Sequence, residues 1–476
     1  MFDVIVIGGG VIGGTILREL SRYRLRVCLL EREDDVAMGQ SKANSGIVHA
    51  GYDAAEGTLK AKFNVAGNKM MFAYTKELGV KCVQNGSLVV AFSEEEIKTL
   101  YELKSRGEKN GVPALEVISK EALHKLEPNI SESALGALYA PTAGIVCPYE
   151  LTIAAIGNAM DNGAELFCDF EVASITKEGD TFRVATRDGR QVQGRLIINC
   201  AGLGAQKIAE LAGDDSIHIG GRKGEYILLD RESGDFVGRT LFFTPTKAGK
   251  GILVARTVDH NILLGPTSEE TDSPLTDTSA KGLDLVMSKA KEMCPNVPLY
   301  NAITSFAGVR AYSDRHDFII EESKTVSGLI HCAGIESPGL TAAPAIAQYV
   351  VQELVGAHYA LKTNPSFNGT RMSDSFFKEL SVEEKNKLIS RDPAFGRIVC
   401  RCEEVTEGEI LHAIKSNPPA RNIDAVKRRT RSGMGRCQGG FCQPTIAELI
   451  ASARNIPLEE VTKSGRGSNL LSEACK

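Results

Sequence analysis

The chain has 476 residues, a formal net charge of −5, and 43% hydrophobic against 24% charged residues. This length exceeds what one hydrophobic core usually supports, so we expect two or three domains. The acidic balance disfavours nucleic acid as a general partner, because phosphate binding draws on a basic surface. No apolar run approaches the ~20 residues of a membrane helix, and the start MFDVIVIGGG lacks the basic head of an export signal. We therefore expect no transmembrane segment and a cytoplasmic protein.

The first 31 residues form a strand, helix, strand pattern. FDVIVI at residues 2–7 is an apolar run before glycines, typical of a buried parallel strand, and RVCLLE is a second strand that ends at Glu31. Gly8, Gly10 and Gly13 form a G-x-G-x-x-G pattern between the first strand and the helix. The glycines permit a tight turn and the close approach of a pyrophosphate to the helix N-terminus, and the acid accepts hydrogen bonds from a ribose. The pattern predicts a dinucleotide-binding unit.

The rest of the chain alternates between nucleotide-domain signals and two other regions. The strand-like KCVQNGSLVVAF and a polar helix with Ser93 and Glu96 as its capping box interrupt the first domain, and the apolar strand RLIINCAG returns to it. A second β-rich stretch precedes GLIHCAGIESPGLTAAPAI, which is again a strand, a glycine turn and a helix. We predict a nucleotide-binding domain from residues 1–80, 145–215 and 325–360, a substrate-binding domain from 81–144 and 216–324, a linker at 361–396, a small α-rich module at 397–460 and a tail at 461–476.

Assembly of one nucleotide domain from three separated segments favours a long cofactor, FAD, over NAD, which the glycine spacing alone does not separate. At ANSGIVHAGYD, GKGILV, SFAGVR and ESPGLTAAPAI the chain resembles the FAD-dependent D-amino-acid oxidase and glycerol-3-phosphate dehydrogenase superfamily. The likeness is strongest to the type II glycerol-3-phosphate oxidases and spans residues 1 to about 370. It implies an α/β, Rossmann-like FAD-binding domain of the glutathione reductase type, an α+β substrate-binding domain and noncovalent FAD. The residues expected at the FAD are Gly8, Gly10, Gly13, Glu31, Ser41, Asn44, Ser45, Gly46, Ala201, Gly202, Gly334, Gly339, Leu340 and Thr341.

The same resemblance implies a catalytic group made of His49, Arg310, Lys250 and Ser337. His49 matches the histidine that the family uses as a base, and oxidation of a secondary alcohol requires such a proton acceptor while hydride passes to the flavin. Arg310 and Lys250 match positions around the substrate, where an arginine fork and a lysine suit a phosphate or a carboxylate. Ser337 begins the turn before a helix whose N-terminus we expect at the flavin pyrimidine edge. Lys250 in GKG favours the glycerol-phosphate branch over the L-2-hydroxyglutarate dehydrogenases, which share the NSGIVHAG type of loop.

Four of the twelve cysteines are paired near the C-terminus: Cys400 and Cys402 in VCRCEE, and Cys437 and Cys442 in RCQGGFCQP. Without an export signal we expect a reducing compartment, where such cysteines are seldom disulfides. Only one residue separates Cys400 from Cys402, which is poor spacing for a zinc knuckle, whereas four thiolates suffice for a 2Fe-2S cluster. CRCEEVTEGEI and RRTRSGMGRCQGGFC resemble the bacterioferritin-associated ferredoxin-like domain, which implies that these four cysteines hold a 2Fe-2S cluster; zinc and empty thiols are the alternatives.

A basic group crowds the approach to the second cysteine pair and consists of Lys427, Arg428, Arg429, Arg431 and Arg436. Positive charge here would offset the negative charge of a cluster or attract an acidic redox partner. A solvated basic face is the other interpretation.

These features together predict an FAD-dependent dehydrogenase that oxidises sn-glycerol 3-phosphate to dihydroxyacetone phosphate by hydride transfer to the flavin. Electrons would leave through the 2Fe-2S cluster to a partner protein or companion subunit, which could also bring the enzyme to a membrane. An oxidase that reduces dioxygen has no evident need of this exit, so the module favours a dehydrogenase. Two alternatives stay open: a dehydrogenase of L-2-hydroxyglutarate or another 2-hydroxy acid, and an electron-transfer subunit without a substrate of its own.

Overall fold

The computed structural model describes residues 1–245 and 251–473. Its strands are, in chain order, β1 (Phe2–Ile7), β2 (Val27–Leu30), β3 (Ile47–Val48), β4 (Cys82–Val83), β5 (Ser87–Ala91), β6 (Glu116–Ser119), β7 (Gly136–Ala140), β8 (Gly144–Val146), β9 (Glu165–Phe167), β10 (Ser174–Glu178), β11 (Thr181–Ala185), β12 (Gln191–Asn199), β13 (Ile219–Leu229), β14 (Thr240–Phe243), β15 (Leu253–Arg256), β16 (Ile262–Gly265), β17 (Glu269–Thr271), β18 (Ala302–Ser313), β19 (Ile319–Glu322), β20 (Leu329–Ala333), β21 (Ile398–Cys400) and β22 (Val405–Thr406). Its α-helices are α1 (Val11–Ser21), α2 (Leu59–Glu77), α3 (Glu94–Lys109), α4 (Lys120–Leu126), α5 (Pro148–Asp161), α6 (Ala205–Leu211), α7 (Ala280–Met293), α8 (Gly339–Tyr349), α9 (Val382–Arg391), α10 (Glu407–Lys415), α11 (Ile423–Thr430) and α12 (Gln443–Arg454).

The first sheet carries the glycine-rich loop. β1 lies between β2 and β12 and is parallel to both, and β9 and β20 continue the parallel order on either side. Side chains alternate along β1: Val4 and Val6 pack with residues of α1, α5 and α8, whereas Ile5 and Ile7 pack with residues of β11 and α6. Both faces of β1 are therefore buried, and the parallel strand predicted at residues 2–7 is confirmed.

The second sheet is largely antiparallel and joins two stretches that are far apart in sequence. Its order is β17-β13-β16-β15-β14-β5-β7-β6, with β18 paired to the other edge of β13. The stretches meet where β14 runs parallel to β5, with Thr240 opposite Ser87. The long β13–β18 ladder places Arg222 directly opposite Arg310. A smaller sheet of β3, β8 and β4 holds the segment around His49 beside the start of α5.

Residues 361–396 run over the surface of the first domain. Arg18, which is fully buried, donates from Nη2 to the Gly369 carbonyl oxygen over 2.9 Å. Arg371 forms an ion pair with Asp161 at 2.8 Å. The helix α9 follows, and Ser381 opens it with a capping box. This stretch is therefore held in place by side chains of α1 and α5.

The C-terminal module has its own small core. The β21–β22 hairpin and α10, α11 and α12 surround an apolar cluster that includes Cys400, Cys442 and Val461. Beyond this core Thr462 forms a β-bridge with Asn469. With this α-rich module, the α/β first domain and the α+β second sheet, the predicted fold class is confirmed.

Candidate FAD and iron-sulfur sites

The glycine-rich loop packs too closely for larger residues. Gly8 has φ +113°, and a Cβ on it would lie 2.4 Å from the Cys200 carbonyl oxygen. A Cβ on Gly13 would lie 2.0 Å from the Gly8 carbonyl oxygen, so α1 can approach β1 only with glycine there. Glu31 accepts hydrogen bonds from the amides of Gly9 at 2.7 Å and Glu33 at 3.0 Å. Burial raises the pKa of the Glu31 carboxyl group. The carboxylate therefore lies at the loop where the sequence places a ribose.

A cavity of about 670 Å³ begins at this loop and extends to the second sheet. Its lining includes all the predicted FAD residues except Gly13, which packs beneath the loop, and Thr341. Thr341 is buried, accepts from the His49 amide at 2.9 Å and donates to the Ile47 carbonyl oxygen at 3.2 Å. Thr341 thus fastens the segment around His49 to α8.

Two helices begin at this cavity without a side-chain N-cap. Gly10 precedes α1, and Pro338 precedes α8. In the first turn of α1, the Val11 amide donates to Ser41 Oγ at 2.8 Å. The N-cap residue, Gly10, has no side chain that could accept from the other amides of this turn. Uncapped helix N-termini favour negative charge. A cavity that runs from the glycine-rich loop to the second sheet, a carboxylate at that loop and two helix N-termini in its lining suit FAD, so the residues present fit this cofactor.

The cavity brings together three of the four predicted catalytic residues. His49, Ser337 and Arg310 all line it, and the Ser337 Oγ lies 3.2 Å from His49 Nε2. The His49 carbonyl oxygen accepts from Asn68 Nδ2 at 3.1 Å, so hydrogen bonds hold its backbone on both sides. Lys250 lies outside the described residues, while Gly251, which follows it, lines the cavity.

Positive charge gathers on the β13–β18 side of the cavity. Arg310 Nη2 donates to the Thr267 carbonyl oxygen at 2.9 Å, and no carboxylate within the described ranges forms an ion pair with Arg310. Arg222, its register partner, pairs with Glu336 at 3.6 Å and with Glu270 at 3.3 Å. Arg222 was present in the sequence as part of RKGEY, but its position opposite Arg310 depends on strand pairing that no local pattern reveals.

Aromatic side chains complete the wall near His49. The Phe242 ring lies 5.9 Å from the His49 ring, centroid to centroid. Tyr226 stacks on Phe306 at 4.8 Å, and its hydroxyl lies 3.5 Å from Ser45 Oγ. Burial raises the pKa of the Tyr226 hydroxyl, which therefore stays protonated near neutral pH. Sequence analysis assigned no role to Tyr226, although it ends the RKGEY segment, or to Phe242, which belongs to no short motif.

The four C-terminal cysteines meet as two pairs, each with one member from each motif. Cys402 Sγ lies 3.6 Å from Cys437 Sγ, and Cys400 shares a hydrogen bond with Cys442. Cys400 and Cys442 are buried, whereas Cys402 and Cys437 are partly exposed. Within residues 1–245 and 251–473, no three His, Cys, Asp or Glu side chains are grouped to hold one ion. Two separate thiol pairs fit the two irons of a 2Fe-2S cluster better than a single tetrahedral zinc ion.

Hydrogen bonds favour the thiolate form in each pair. The bond from Cys442, helped by the amides of Gly433 and Glu403, lowers the pKa of Cys400 to about 6. Burial opposes ionisation of Cys437, but the bond from Cys402 and the amides of residues 439–441 hold its pKa below the ordinary value. Because the thiolate is the metal-binding form, one cysteine of each pair is already prepared as a ligand.

Three arginines of the predicted basic group are buried in ion pairs and do not form a solvated face. Arg428 and Arg429 both bind the buried carboxylate of Asp35 in the first domain, at 2.5 and 2.8 Å. Arg431 forms ion pairs with Asp259 at 2.7 Å and with Glu403 at 3.0 Å. The interpretation as a solvated face is therefore wrong for these three arginines, since the charges are used where the module meets the other two domains.

Arg436 differs, because its side chain is 61% exposed while it pairs with Asp230 and Glu232. Lys427 is partly buried, and desolvation lowers its pKa. Neither Arg436 nor Lys427 is buried as Arg429 is.

Comparison with known proteins defines the family. A model described as FAD dependent oxidoreductase matches residues 3–353, and one described as a BFD-like 2Fe-2S binding domain matches residues 398–452. The chain belongs to the FAD-dependent oxidoreductase family and carries a C-terminal 2Fe-2S binding domain. FAD and a 2Fe-2S cluster are thus its cofactors, and both cofactor predictions are confirmed.

Individual relatives show which members of the family this chain is similar to. A glycerol 3-phosphate dehydrogenase from Caloramator mitchellensis is 46% identical over 477 residues, which covers 100% of this chain and 99% of that protein. A glycerol 3-phosphate oxidase from Mycoplasma pneumoniae is 34% identical over 77% of this chain and 97% of its own length. The structure of the dithionite-reduced L-alpha-glycerophosphate oxidase from Mycoplasma pneumoniae with FAD bound has a TM-score of 0.75 at 32% identity, covering 78% of this chain and 98% of that one. The predicted family resemblance is confirmed.

Across the described part of the chain, none of the helices has the length and apolar character needed to cross a bilayer.

Proposed function

We propose that this protein oxidises sn-glycerol 3-phosphate to dihydroxyacetone phosphate and passes the electrons through its 2Fe-2S cluster to a partner protein. The observation that carries the proposal is the 46% identity to a glycerol 3-phosphate dehydrogenase over the whole chain, C-terminal module included. The Mycoplasma oxidase, in contrast, matches only 77% of the chain. The presence of the 2Fe-2S module favours an electron acceptor other than dioxygen.

The cofactors define the chemistry that the protein residues must support. Bound FAD supplies a two-electron hydride acceptor, and the cluster supplies a one-electron carrier. Gly8, Gly10 and Glu31 with the first turns of α1 and α8 are the residues that would hold FAD. Cys400, Cys402, Cys437 and Cys442 would hold the cluster.

His49 is proposed as the base. A secondary alcohol must lose its hydroxyl proton as hydride leaves the carbon, and an imidazole titrates near neutral pH. The position of Ser337 Oγ, 3.2 Å from His49 Nε2, suits a hydroxyl that orients both the imidazole and the substrate hydroxyl. Proton transfer to His49 Nε2 is therefore the step we assign to this pair.

Arg310 is proposed to bind the phosphate, with Arg222 and Lys250 as further cations. Arg310 lines the cavity with His49, and its guanidinium has no ion-paired carboxylate among the described residues. A guanidinium fork can bind two phosphate oxygens at once, which orients a dianion as well as attracting it. Lys250 would add a point charge. This arrangement also suits the carboxylates of a 2-hydroxy acid, so the substrate must be tested directly.

The test is an anaerobic absorbance spectrum of the purified protein before and after addition of glycerol 3-phosphate, with L-2-hydroxyglutarate in a parallel cuvette. We expect glycerol 3-phosphate alone to bleach the flavin band and then the broad absorbance of the cluster. Bleaching only by L-2-hydroxyglutarate would move the substrate to the 2-hydroxy acids. Bleaching by neither compound would favour an electron-transfer subunit without a substrate of its own. A cluster that stays oxidised while the flavin is reduced would contradict electron transfer from the flavin through the cluster.

A further inference from the structure

The buried carboxylate of Asp35 links the FAD domain to two arginines of the C-terminal module. Its Oδ1 accepts from Arg429 Nη2 at 2.8 Å, and its Oδ2 accepts from Arg429 Nη1 at 2.9 Å and from Arg428 Nη2 at 2.5 Å. Asp35 and Arg429 are each 2% exposed and Arg428 is 5% exposed. We call these three residues the Asp35 clamp.

On one side, the Asp35 clamp holds the segment that carries Glu31. Between Glu31 and Ala37 the chain is bonded to the glycine-rich loop at both ends, because Glu31 accepts from the Gly9 amide and the Ala37 amide donates to the Gly9 carbonyl oxygen at 2.9 Å. Asp35 lies inside this short segment. A displacement of Asp35 would therefore be transmitted to the backbone around the dinucleotide loop.

On the other side, the clamp holds α11, the helix that leads into the second cysteine motif. Asn422, the N-cap of α11, donates to Asp34 at 2.5 Å, so the helix is bonded to the same segment at its start as well as near its end. Arg429 is further fixed within the module by hydrogen bonds to the carbonyl oxygens of Pro418 and Ala425, both at 3.0 Å. The orientation of α11 on the FAD domain is thus defined at two points.

The end of α11 leads directly to the cysteines. Arg431 is its C-cap, with φ 67°, and binds Glu403, the neighbour of Cys402. The guanidinium of Arg431 also binds Asp259, which lies in the turn after β15. The first residue of β15, Leu253, lines the cavity. Buried and partly buried hydrogen bonds, with the short chain segments between them, therefore connect the dinucleotide loop, both cysteine motifs and the wall of the cavity.

The charges of the clamp make this contact specific. Burial alone would raise the pKa of Asp35, yet Arg429 and Arg428 lower it to about 2, so the carboxylate is ionised throughout the neutral range. Two buried guanidinium groups share this one carboxylate, and an uncompensated buried charge is costly. Neutralising Asp35 would leave both arginines without their counter-charge and favour separation of the module from the FAD domain.

We propose that Asp35 is a positioning residue for electron transfer: it fixes the 2Fe-2S module against the FAD domain, so that the distance between flavin and cluster depends on the Asp35 clamp. The proposal rests on the proposed function, because it presumes that electrons pass from the flavin to the cluster. It assigns a role to a residue that neither lines the cavity nor belongs to either paired-cysteine motif.

The experiment compares the holoenzyme with Asp35→Asn and with Asp235→Asn as a matched control, since the Asp235 side chain is 96% exposed. Stopped-flow absorbance under anaerobic conditions follows flavin reduction by glycerol 3-phosphate and then reduction of the cluster. For Asp35→Asn we expect cluster reduction to slow about tenfold or more, since misplacing reacting groups by about 1 Å can cost up to about 100-fold. Flavin reduction should slow by a smaller factor, because the clamp contacts the module directly and the dinucleotide loop only through the backbone. Asp35→Glu, which keeps the charge, should recover part of the rate.

Hydrogen-deuterium exchange provides a readout that does not depend on turnover. In Asp35→Asn we expect faster exchange in residues 31–37 and 422–431, with the control unchanged. If Asp35→Asn does not accumulate with both cofactors, Arg428→Gln carries the same test, because it keeps the two bonds between Arg429 and Asp35.

Equal rates of cluster reduction and equal exchange in the variant and the wild type would overturn the proposal. Failure of the proposed function looks different, since the wild-type cluster would then stay oxidised beside reduced flavin. In that case exchange in Asp35→Asn would still show whether the clamp fixes the module.

Discussion

Arginines serve opposite purposes in the two halves of this molecule. In the cavity that begins at the glycine-rich loop, Arg310 lies opposite Arg222, and its guanidinium has no ion-paired carboxylate within the described ranges. At the base of the C-terminal module, Arg428 and Arg429 are buried on a single carboxylate of another domain. Both groups would look alike in a sequence, as positive charge near a predicted cofactor.

The difference shows where positive charge is available to a ligand. A guanidinium whose hydrogen bonds go to carbonyl oxygens keeps its charge for an incoming anion. A guanidinium on a buried carboxylate has that charge compensated and contributes to the orientation of two domains instead. Substitution of the buried arginines on Asp35 should therefore lower stability, whereas substitution of Arg310 should weaken substrate binding.

The largest expected effect is on stability and comes from Arg429→Gln. This change removes the fork on Asp35 and the bonds to Pro418 and Ala425, and loss of one partner from a buried ion pair typically costs about 3–5 kcal/mol. We expect a clearly lower midpoint of thermal unfolding, followed by circular dichroism, and an unchanged KM for glycerol 3-phosphate in the protein that remains folded. An unchanged midpoint would show that the clamp does not stabilise the assembly.

A smaller effect, on substrate use rather than stability, is expected for Arg310→Met. Hydrogen bonds to charged groups contribute about 1.5–3 kcal/mol, so kcat/KM for glycerol 3-phosphate should fall about 10- to 100-fold, while the unfolding midpoint changes little. Arg310→Lys is the matched variant: it keeps the charge but loses the fork, and an intermediate value is expected. Steady-state kinetics with an artificial electron acceptor measure both. If Arg310→Met leaves kcat/KM unchanged, the phosphate is bound elsewhere in the cavity.

The parts of the molecule that were predictable from sequence depend on short-range patterns. The first strand, the glycine-rich loop and Glu31 follow one another within 31 residues, and each has a local physical requirement. The four cysteines were recognisable because their side-chain type and close pairing are unusual. The site residues His49, Ser337 and Arg310 came from family motifs, and the structure brings them into one cavity.

The parts that were not predictable depend on contacts between distant positions. Asp35 and Arg429 are separated by 394 positions, and nothing near either residue indicates the other. For this reason the sequence left three interpretations open for the basic run beside the cysteines: compensation of the cluster charge, attraction of an acidic partner, or a solvated face. Arg222 and Arg310 become neighbours only through the β13–β18 ladder. Burial and strand pairing, which decide the partner of each charge, arise from the whole fold.

The smallest expected effect is that of Arg436→Gln. This variant tests whether an arginine of the basic run must be buried to stabilise the protein, or whether an ion pair is sufficient. Arg436 belongs to the same basic run and binds Asp230 and Glu232 on the second domain, but its side chain is 61% exposed. Exposed ion pairs are screened by salt and usually contribute little. We expect the unfolding midpoint, the cluster content and the rate of cluster reduction to match those of the wild type, in contrast to Arg429→Gln in the same assays. If Arg436→Gln is as damaging as Arg429→Gln, the exposed rim of the interface stabilises docking as much as its buried centre, and burial is not what separates the two groups of arginines.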